Sequence, residues 1–396
     1  MRIVLFYSLT ESLCYFSDRL AEEFQKRGHE TFILEIPASS VGTPHSFQRF
    51  TEFISQKIDV VICFDGIGTR EEKYINIWDK HQAIVVDILL DPPLRFHATL
   101  EKHPQNYLLF CCDRDHVEYV KRYFIETVPF VEFMPHVGVM PQKDTPVIPY
   151  SQKQYDILFS GTYYRPEDMF AKIEKFFEKG TPIYQFYQFM FRLLTEDSSL
   201  TTEQAVLQTI RQAGFDAEPG ELKTLLNFSE SVDWAIRMYY RGRVVEALAD
   251  AGFELHLLGR GWENHSTASY PNVHRIDDRI PYEKTLYYMA DAKINLNIFP
   301  WFKSGTHDRI FNTLLQHSLP LTDPSKWVTE HFTDGEDIAL YDLKHLEQLP
   351  EIAGSLLWDS TRAEAMIEKG YEKVFHNYTW SNCADWILDA VASYDS

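Results

Sequence analysis

Between residues 303 and 312 the chain reads KSGTHDRIFN, which gathers Lys303, His307 and Arg309 within a single short stretch. Ser304, Gly305 and Thr306 lie among them, and Asn312 follows about one helical turn after Arg309. The preceding KINLNIF alternates as a β-strand does, and Ile310, Phe311, Leu314 and Leu315 fall on one helical face. The pattern therefore predicts a strand, a loop punctuated by Pro300 and Gly305, and a helix from about Thr306 to Gln316. Unpaired N–H groups and the dipole at a helix start favour an anion. With three basic side chains beside it, the chemistry this points to is the holding of a diphosphate. The competing reading is an ordinary βαβ unit whose charges are solvated.

Two more loops carry residue types of the same use. YDILF, from residue 155, reads as a strand running into Ser160-Gly161-Thr162, with Arg165 close behind. FELHLL, from residue 253, reads as a strand running into Gly259-Arg260-Gly261-Trp262. Glycine lets a backbone come close to a phosphate, and Arg260 and Arg165 add charge. A third group offers acid–base chemistry. Asp91 stands at the end of the predicted strand AIVVDILL, followed by Pro92 and Pro93, with Arg95 and His97 after them; His136 sits in the turn MPHVG. Each of Asp91, His97 and His136 could orient or deprotonate a hydroxyl, and each could instead be structural: Asp91 as a turn cap, His136 as part of its turn. Asp113 and Asp115 have metal-pair spacing, but Asp115 reads better as an acidic residue at a helix start.

The elements that must position these residues form two β-rich halves. The first opens with a strand at 2–8, an amphipathic helix at 8–29 and a strand at 30–36. It continues with a helix at 44–57, strands at 58–68 and 83–93, a strand–helix pair at 106–124, and a strand with a sharp turn at 131–139. This is a Rossmann-like opening without the G-x-G-x-x-G fingerprint. PQKDTPVIPYSQKQ (141–154) reads as a linker. The second half holds the strands named above, interrupted at about 167–250 by helices. Three roles stay open for that insertion: acceptor platform, homodimer contact or padding. The expected division is 1–140, the linker, 155–377, and a closing amphipathic helix in 378–396. The class is α/β.

Composition narrows the functions. A net charge of −20 argues against general binding to nucleic acid or to an anionic membrane. Five cysteines, two of them adjacent and none in CxxC spacing, suit free thiols in a reducing cytoplasm. No signal peptide and no membrane-spanning run of apolar residues is read from the chain. With no acidic cluster for a metal, no metal or other cofactor is expected.

G-x-H-x-R-I-F-N, then Asp323 and WVTEHFTDGEDIALY, resembles the C-terminal domain of bacterial GT-B glycosyltransferases, nearest to the spore-maturation CgeB-like group. The order DPP, CCDRDH, MPHVG and GRGW follows the same family. The resemblance implies two Rossmann-like domains facing a cleft, the first taking the acceptor and the second a nucleotide sugar. It implies donor contacts at Gly161, Thr162, Arg165, Gly259, Arg260, Gly261, Ser304, Gly305, Thr306, His307 and Asn312. Lys303 and Arg309 would neutralise the leaving nucleoside diphosphate, with Asp91, His97 and His136 on the acceptor side. The implied reaction is transfer of a hexosyl or related group, retaining and metal-independent, to a protein, glycan or small-molecule acceptor in bacterial glycan or glycoprotein synthesis. The related retaining enzymes carry two glutamates where this chain has Ser304 and Asn312. That departure suits a non-catalytic nucleotide-sugar-binding partner of a transferase; the other alternative, a hydrolysing sugar-nucleotide epimerase, normally needs acidic residues in the cleft, which Ser304 and Asn312 do not provide.

Overall fold

A computed structural model describes residues 1–36, 44–142, 145–276 and 280–394, without the side chains of 44–47. The chain divides into two compact units, Met1–Val137 together with the segment from Asn377, and Gly138–His376.

The first unit contains β1 (Arg2–Tyr7), α1 (Glu11–Lys26), β2 (Glu30–Glu35), α2 (Pro44–Phe53), β3 (Val60–Phe64) and α3 (Glu72–His81). It continues with β4 (Ile84–Leu89), α4 (His97–Glu101), β5 (Tyr107–Cys111), α5 (Arg114–Phe124) and β6 (Val131–Phe133). All six strands are parallel, in the order β2-β1-β3-β4-β5-β6. The runs VVICF, IVVDIL and YLLFC are buried along their whole length, as a parallel sheet covered on both faces requires. Of the strand and turn expected at 131–139, the strand is Val131–Phe133, and the helix expected at 44–57 stops at Phe53.

The second unit holds β7 (Tyr155–Ser160), then α6 (Pro166–Glu174), α7 (Pro182–Glu196), α8 (Thr202–Ala213), α9 (Pro219–Phe228) and α10 (Glu230–Asp250). After these come β8 (Leu255–Leu258), β9 (Val273–Ile276), α11 (Tyr282–Ala290), β10 (Ala292–Asn297), α12 (Asp308–Leu315) and β11 (Leu319–Thr322). The unit ends with α13 (Lys326–His331), β12 (Ala339–Leu340), α14 (Leu349–Trp358) and most of α15 (Ser360–Asn377). Its sheet is also parallel throughout, ordered β12-β11-β10-β7-β8-β9. Strand order reverses between β7 and β10, and ligands of open parallel sheets collect beyond the strand ends at such a reversal. The helices α6 to α10 occupy the stretch read as an insertion, and caps delimit them: Thr201 and Gln204 form a reciprocal capping box on α8.

The stretch 141–154 belongs to the second unit, and its residues 143–144 lie outside the described ones. Hydrogen bonds just before it and within it account for this. Val139 N donates to Asn312 Oδ1 at 2.8 Å, Val139 O accepts from Gln316 Nε2 at 2.9 Å, and Tyr150 Oη donates to Leu356 O at 3.1 Å. The final helix, α16 (Trp380–Tyr394), packs on α1 within the first unit. Trp380 lies 5.0 Å from Phe16 between ring centroids, and Arg27 binds Asp385 and Ser381, each at 2.8 Å.

Candidate active site

On the second unit, the loops after β7 and after β10 lie side by side at the reversal point. The first is pinned to the loop after β8. Gly161 N donates to Leu258 O and Tyr163 N to Arg260 O, both at 2.8 Å, and Trp262 Nε1 donates to Gly161 O at 2.8 Å. The glycines make this closeness possible. A Cβ on Gly259 would stand 2.5 Å from Gly161 O, and one on Gly261 would stand 1.9 Å from Tyr163 O. Both residues also hold positive φ, at 138° and 85°. The close approach expected towards a phosphate is thus made first between the two loops. Arg260 is exposed at their edge. Arg165 is exposed too, held by Asp168 at 2.9 and 3.0 Å.

In the loop after β10, Ser304 and Thr306 are buried and Gly305 O accepts from Ser325 Oγ at 2.6 Å. Lys303 Nζ donates to Ser198 O, in the turn before α8. Helix α12 begins at Asp308, two residues later than expected, because His307 is its N-cap. The Nδ1 of His307 sits 3.2 Å from Arg309 N and 2.6 Å from Asp308 Oδ1. Protein groups therefore fill the helix end that was expected to receive an anion, and the available positive charge lies in side chains instead.

Arg309 is buried and donates through Nη1 to Asn297 Oδ1, with its guanidinium 5.4 Å from the Phe159 ring. Burial lowers its pKa from the usual arginine value. Asn297 is held by Thr322 Oγ1 at 2.8 Å and, through its carbonyl, by Tyr341 Oη at 2.9 Å. Asp323 completes the group, accepting from Phe299 N at 2.9 Å. Burial pushes its carboxyl up to about 7, against the opposing pull of that N–H, Lys303 and Arg309. Asn312, expected as a ribose contact, is bonded within the protein. Its oxygen accepts from Val139 N, and its nitrogen donates to Tyr282 Oη at 3.0 Å and Asp308 Oδ2 at 3.1 Å.

Sequence reading missed Arg237, Arg241, Trp301 and Asn297, and it quoted Asp323 and the segment ending at Tyr341 without giving either residue a site role. Arg241 Nη1 donates to Thr162 O at 2.7 Å and lies 5.2 Å from the Trp301 ring. Arg237 lies 4.0 Å from the same ring. Their i, i+4 spacing in RMYYR was the available signal.

On the first unit, Asp91 follows β4 and pairs with Arg95 at 3.0 Å. Asp65, just past β3, adopts φ 53° and accepts from Leu90 N at 2.9 Å. Burial, and then the charge of Asp91, raise Asp65 to about 8. Asp87, within β4, accepts from Tyr107 Oη at 2.6 Å and Gly66 N at 3.0 Å, and burial raises it as well. His97 is buried at the start of α4, 2.7 Å from Tyr119 Oη and edge-on to Phe124, so it packs rather than faces an acceptor. His136 is buried in its turn. The N-cap of α5 is Asp113, not Asp115: it accepts from Asp115 N at 2.6 Å. Among the described residues no group of three or more His, Cys, Asp or Glu is arranged for a metal. Nor, among them, is any helix long and apolar enough to cross a membrane.

Residues 241–389 match a protein-family model described as glycosyl transferase-like. None of the curated proteins compared with the chain matches it. Solved structures resemble it along almost its whole length. An α-glucosyltransferase in complex with UDP and a 13-mer DNA is 14% identical, with TM-score 0.54 and 99% of each chain covered. Sucrose-phosphate synthase from Thermosynechococcus elongatus is 10% identical, with TM-score 0.56, covering 99% of this chain and 98% of that one. Anabaena HepE in complex with UDP-glucose is 10% identical, with TM-score 0.53, covering 99% and 100%. The two parallel six-stranded sheets thus have the GT-B fold, and the glycosyl transferase-like family segment covers residues 241–389 of the chain.

Proposed function

We propose that the protein is a glycosyltransferase moving a hexosyl or related group from a nucleotide sugar, in the first instance a UDP-sugar, to an acceptor hydroxyl. The observation that carries this reading is the gathering of Arg241, Arg309 and Lys303 around Phe159, Trp301 and Ser198, at the β7/β10 reversal of the unit that contains the family segment. Negative charge grows on the nucleoside diphosphate as it leaves, and fixed positive groups in a dry site stabilise it most effectively. Arg309 and Lys303 take that role, with the loops of Gly161-Thr162 and Gly259-Arg260-Gly261 beside the donor. Transfer without a metal suits a site whose charge is supplied by side chains, and retention follows the family resemblance alone. UDP in the similar structures supports the choice of base.

On the first unit Asp91 is the residue proposed to orient or accept a proton from the acceptor hydroxyl, steadied by Arg95. One similar enzyme was solved with DNA. The net charge of −20 favours instead a glycan, protein or small-molecule acceptor. The free thiols Cys63, Cys111, Cys112 and Cys383, all buried, support work in a reducing cytoplasm. A bacterial glycan or glycoprotein pathway fits the CgeB-like resemblance.

A second reading has one observation in its favour. Ser304 and Asn312 are not acidic, and Asn312 is already bonded within the protein. That arrangement would suit a nucleotide-sugar-binding partner without turnover. Calorimetric titration with UDP, followed by UDP release from UDP-glucose and related donors, separates the two. Binding with slow hydrolysis supports the transferase, and binding without turnover under any acceptor supports the partner. Failure to bind any nucleoside diphosphate overturns both.

A further inference from the structure

The helices between β7 and β8 reach both loops assigned to the donor; Arg241, which holds the loop after β7, is the first residue of the matched family segment, whereas Arg237 and Ser198, which meet the loop after β10, lie outside it. Helix α10 is continuous over 21 residues. Its second half lies within that segment, and its first half belongs to the added helices. At the junction, Arg237 and Arg241 project one turn apart onto the indole of Trp301, at 4.0 and 5.2 Å. Trp301 lies in the loop after β10, two residues before Lys303. Arg241 also holds the loop after β7, through Thr162 O at 2.7 Å. The turn between α7 and α8 takes the Lys303 ammonium on the carbonyl of Ser198.

Arg237 is itself fixed from further out in the added helices. Its Nε lies 3.2 Å from Asp233 Oδ2, and the other oxygen of Asp233 accepts from Thr202 Oγ1 at 2.9 Å, at the start of α8. Arg237 and Asp233 are both almost wholly buried, with side-chain exposures of 3% and 2%. Burying such an ion pair is costly. The flat guanidinium on an indole adds attraction that a lysine would not match. A small cleft lined by Leu194, Thr202, Asp233, Ile236, Trp301 and Lys303 runs along this seam. The added helices therefore meet the donor loop through Arg237 beside the Trp301 ring and through the Ser198 carbonyl that takes the Lys303 ammonium.

We infer that the added helices are a brace for the nucleotide site, with Arg237 as the positioning residue that acts through Trp301 on the loop bearing Lys303. The inference rests on the donor reading above and deepens it. It gives the helices a role in holding the nucleoside diphosphate, which none of the three roles open from sequence provides. The coupling must be reciprocal: whatever Arg237 contributes to diphosphate affinity, bound diphosphate returns as order in the braced segment.

The test uses the full chain, with UDP as the probe. Hydrogen exchange of the wild type should slow on UDP binding at residues 196–203 and 232–241, as well as in the loops. Trp301→Phe and Arg237→Met should weaken UDP binding about ten-fold or more, and Arg237→Lys, which keeps the Asp233 pair but loses the flat stack, should fall between. In these variants the UDP-induced protection at 196–203 should disappear. A purely structural Arg237 would lower thermal stability and leave UDP affinity and the protection pattern of the folded fraction unchanged; that result overturns the inference alone. Wild type that binds neither UDP nor another nucleoside diphosphate overturns the donor reading with it. Should Arg237→Met fail to fold, Trp301→Phe and the wild-type exchange pattern decide.

Discussion

At the scale of single residues, burial and charge pull against each other in both units. Arg309 is the sharpest case in the second, because a guanidinium this enclosed must be useful to repay its desolvation. Replacing it with alanine should lower turnover of a nucleotide-sugar donor about 10²- to 10³-fold, the loss found when a preorganised charge-stabilising donor is removed. Steady-state rates on a folded variant check this. In the first unit Asp65 holds its proton up to about pH 8 when folded, whereas an unfolded aspartate loses it near 4. Between those values the unfolded chain has shed a proton that the folded chain keeps. Stability owed to Asp65 is therefore full below pH 4 and falls as pH rises towards 8. Denaturant midpoints of the first unit should be lower at pH 8 than at pH 5, and Asp65→Asn should flatten that difference.

Elements show what could be read from the chain and what could not. Alternating and fully apolar runs made the strands legible, since a buried parallel strand leaves little choice of residue. The helical nature of 167–250 was equally plain. Helix ends were less so: α12 was expected near Thr306, but a histidine N-cap, His307, starts it at Asp308. The loops after β7 and β8 were singled out by their glycines, although the structure gives the glycines a different reason. They let two loops touch, a contact between segments about a hundred residues apart that no local pattern reveals. Gly261→Ala would bring a Cβ to 1.9 Å from Tyr163 O, at φ 85°. It should cost at least about 2 kcal/mol, the range of a strained backbone with an added clash, and calorimetric melting reads it. Arg237 and Arg241 escaped notice because their partners are aromatic and carbonyl groups far along the chain. Asn312 looked like a ligand contact because an amide suits a ribose, yet the same amide suits Val139, Tyr282 and Asp308.

On the scale of the whole molecule, each unit has its own six-stranded sheet and its own core. Two separable cores need not melt together, so a single midpoint is not assured. Trp380→Ala should destabilise the first unit by about 3–5 kcal/mol, as other large-to-small aromatic changes in cores do. The second unit's transition should stay in place, as calorimetry with resolved transitions would show. The reason lies in α16, whose Trp380 packs against Phe16 of α1.

That return of the final helix also sets a schedule for the ribosome. The part of the chain made first is finished last: Phe16 and Phe64 wait for Trp380 until the whole of 138–376 has emerged. A nascent chain arrested before residue 377 would carry a complete second unit on an incomplete first one, with Phe16 and Phe64 lacking Trp380.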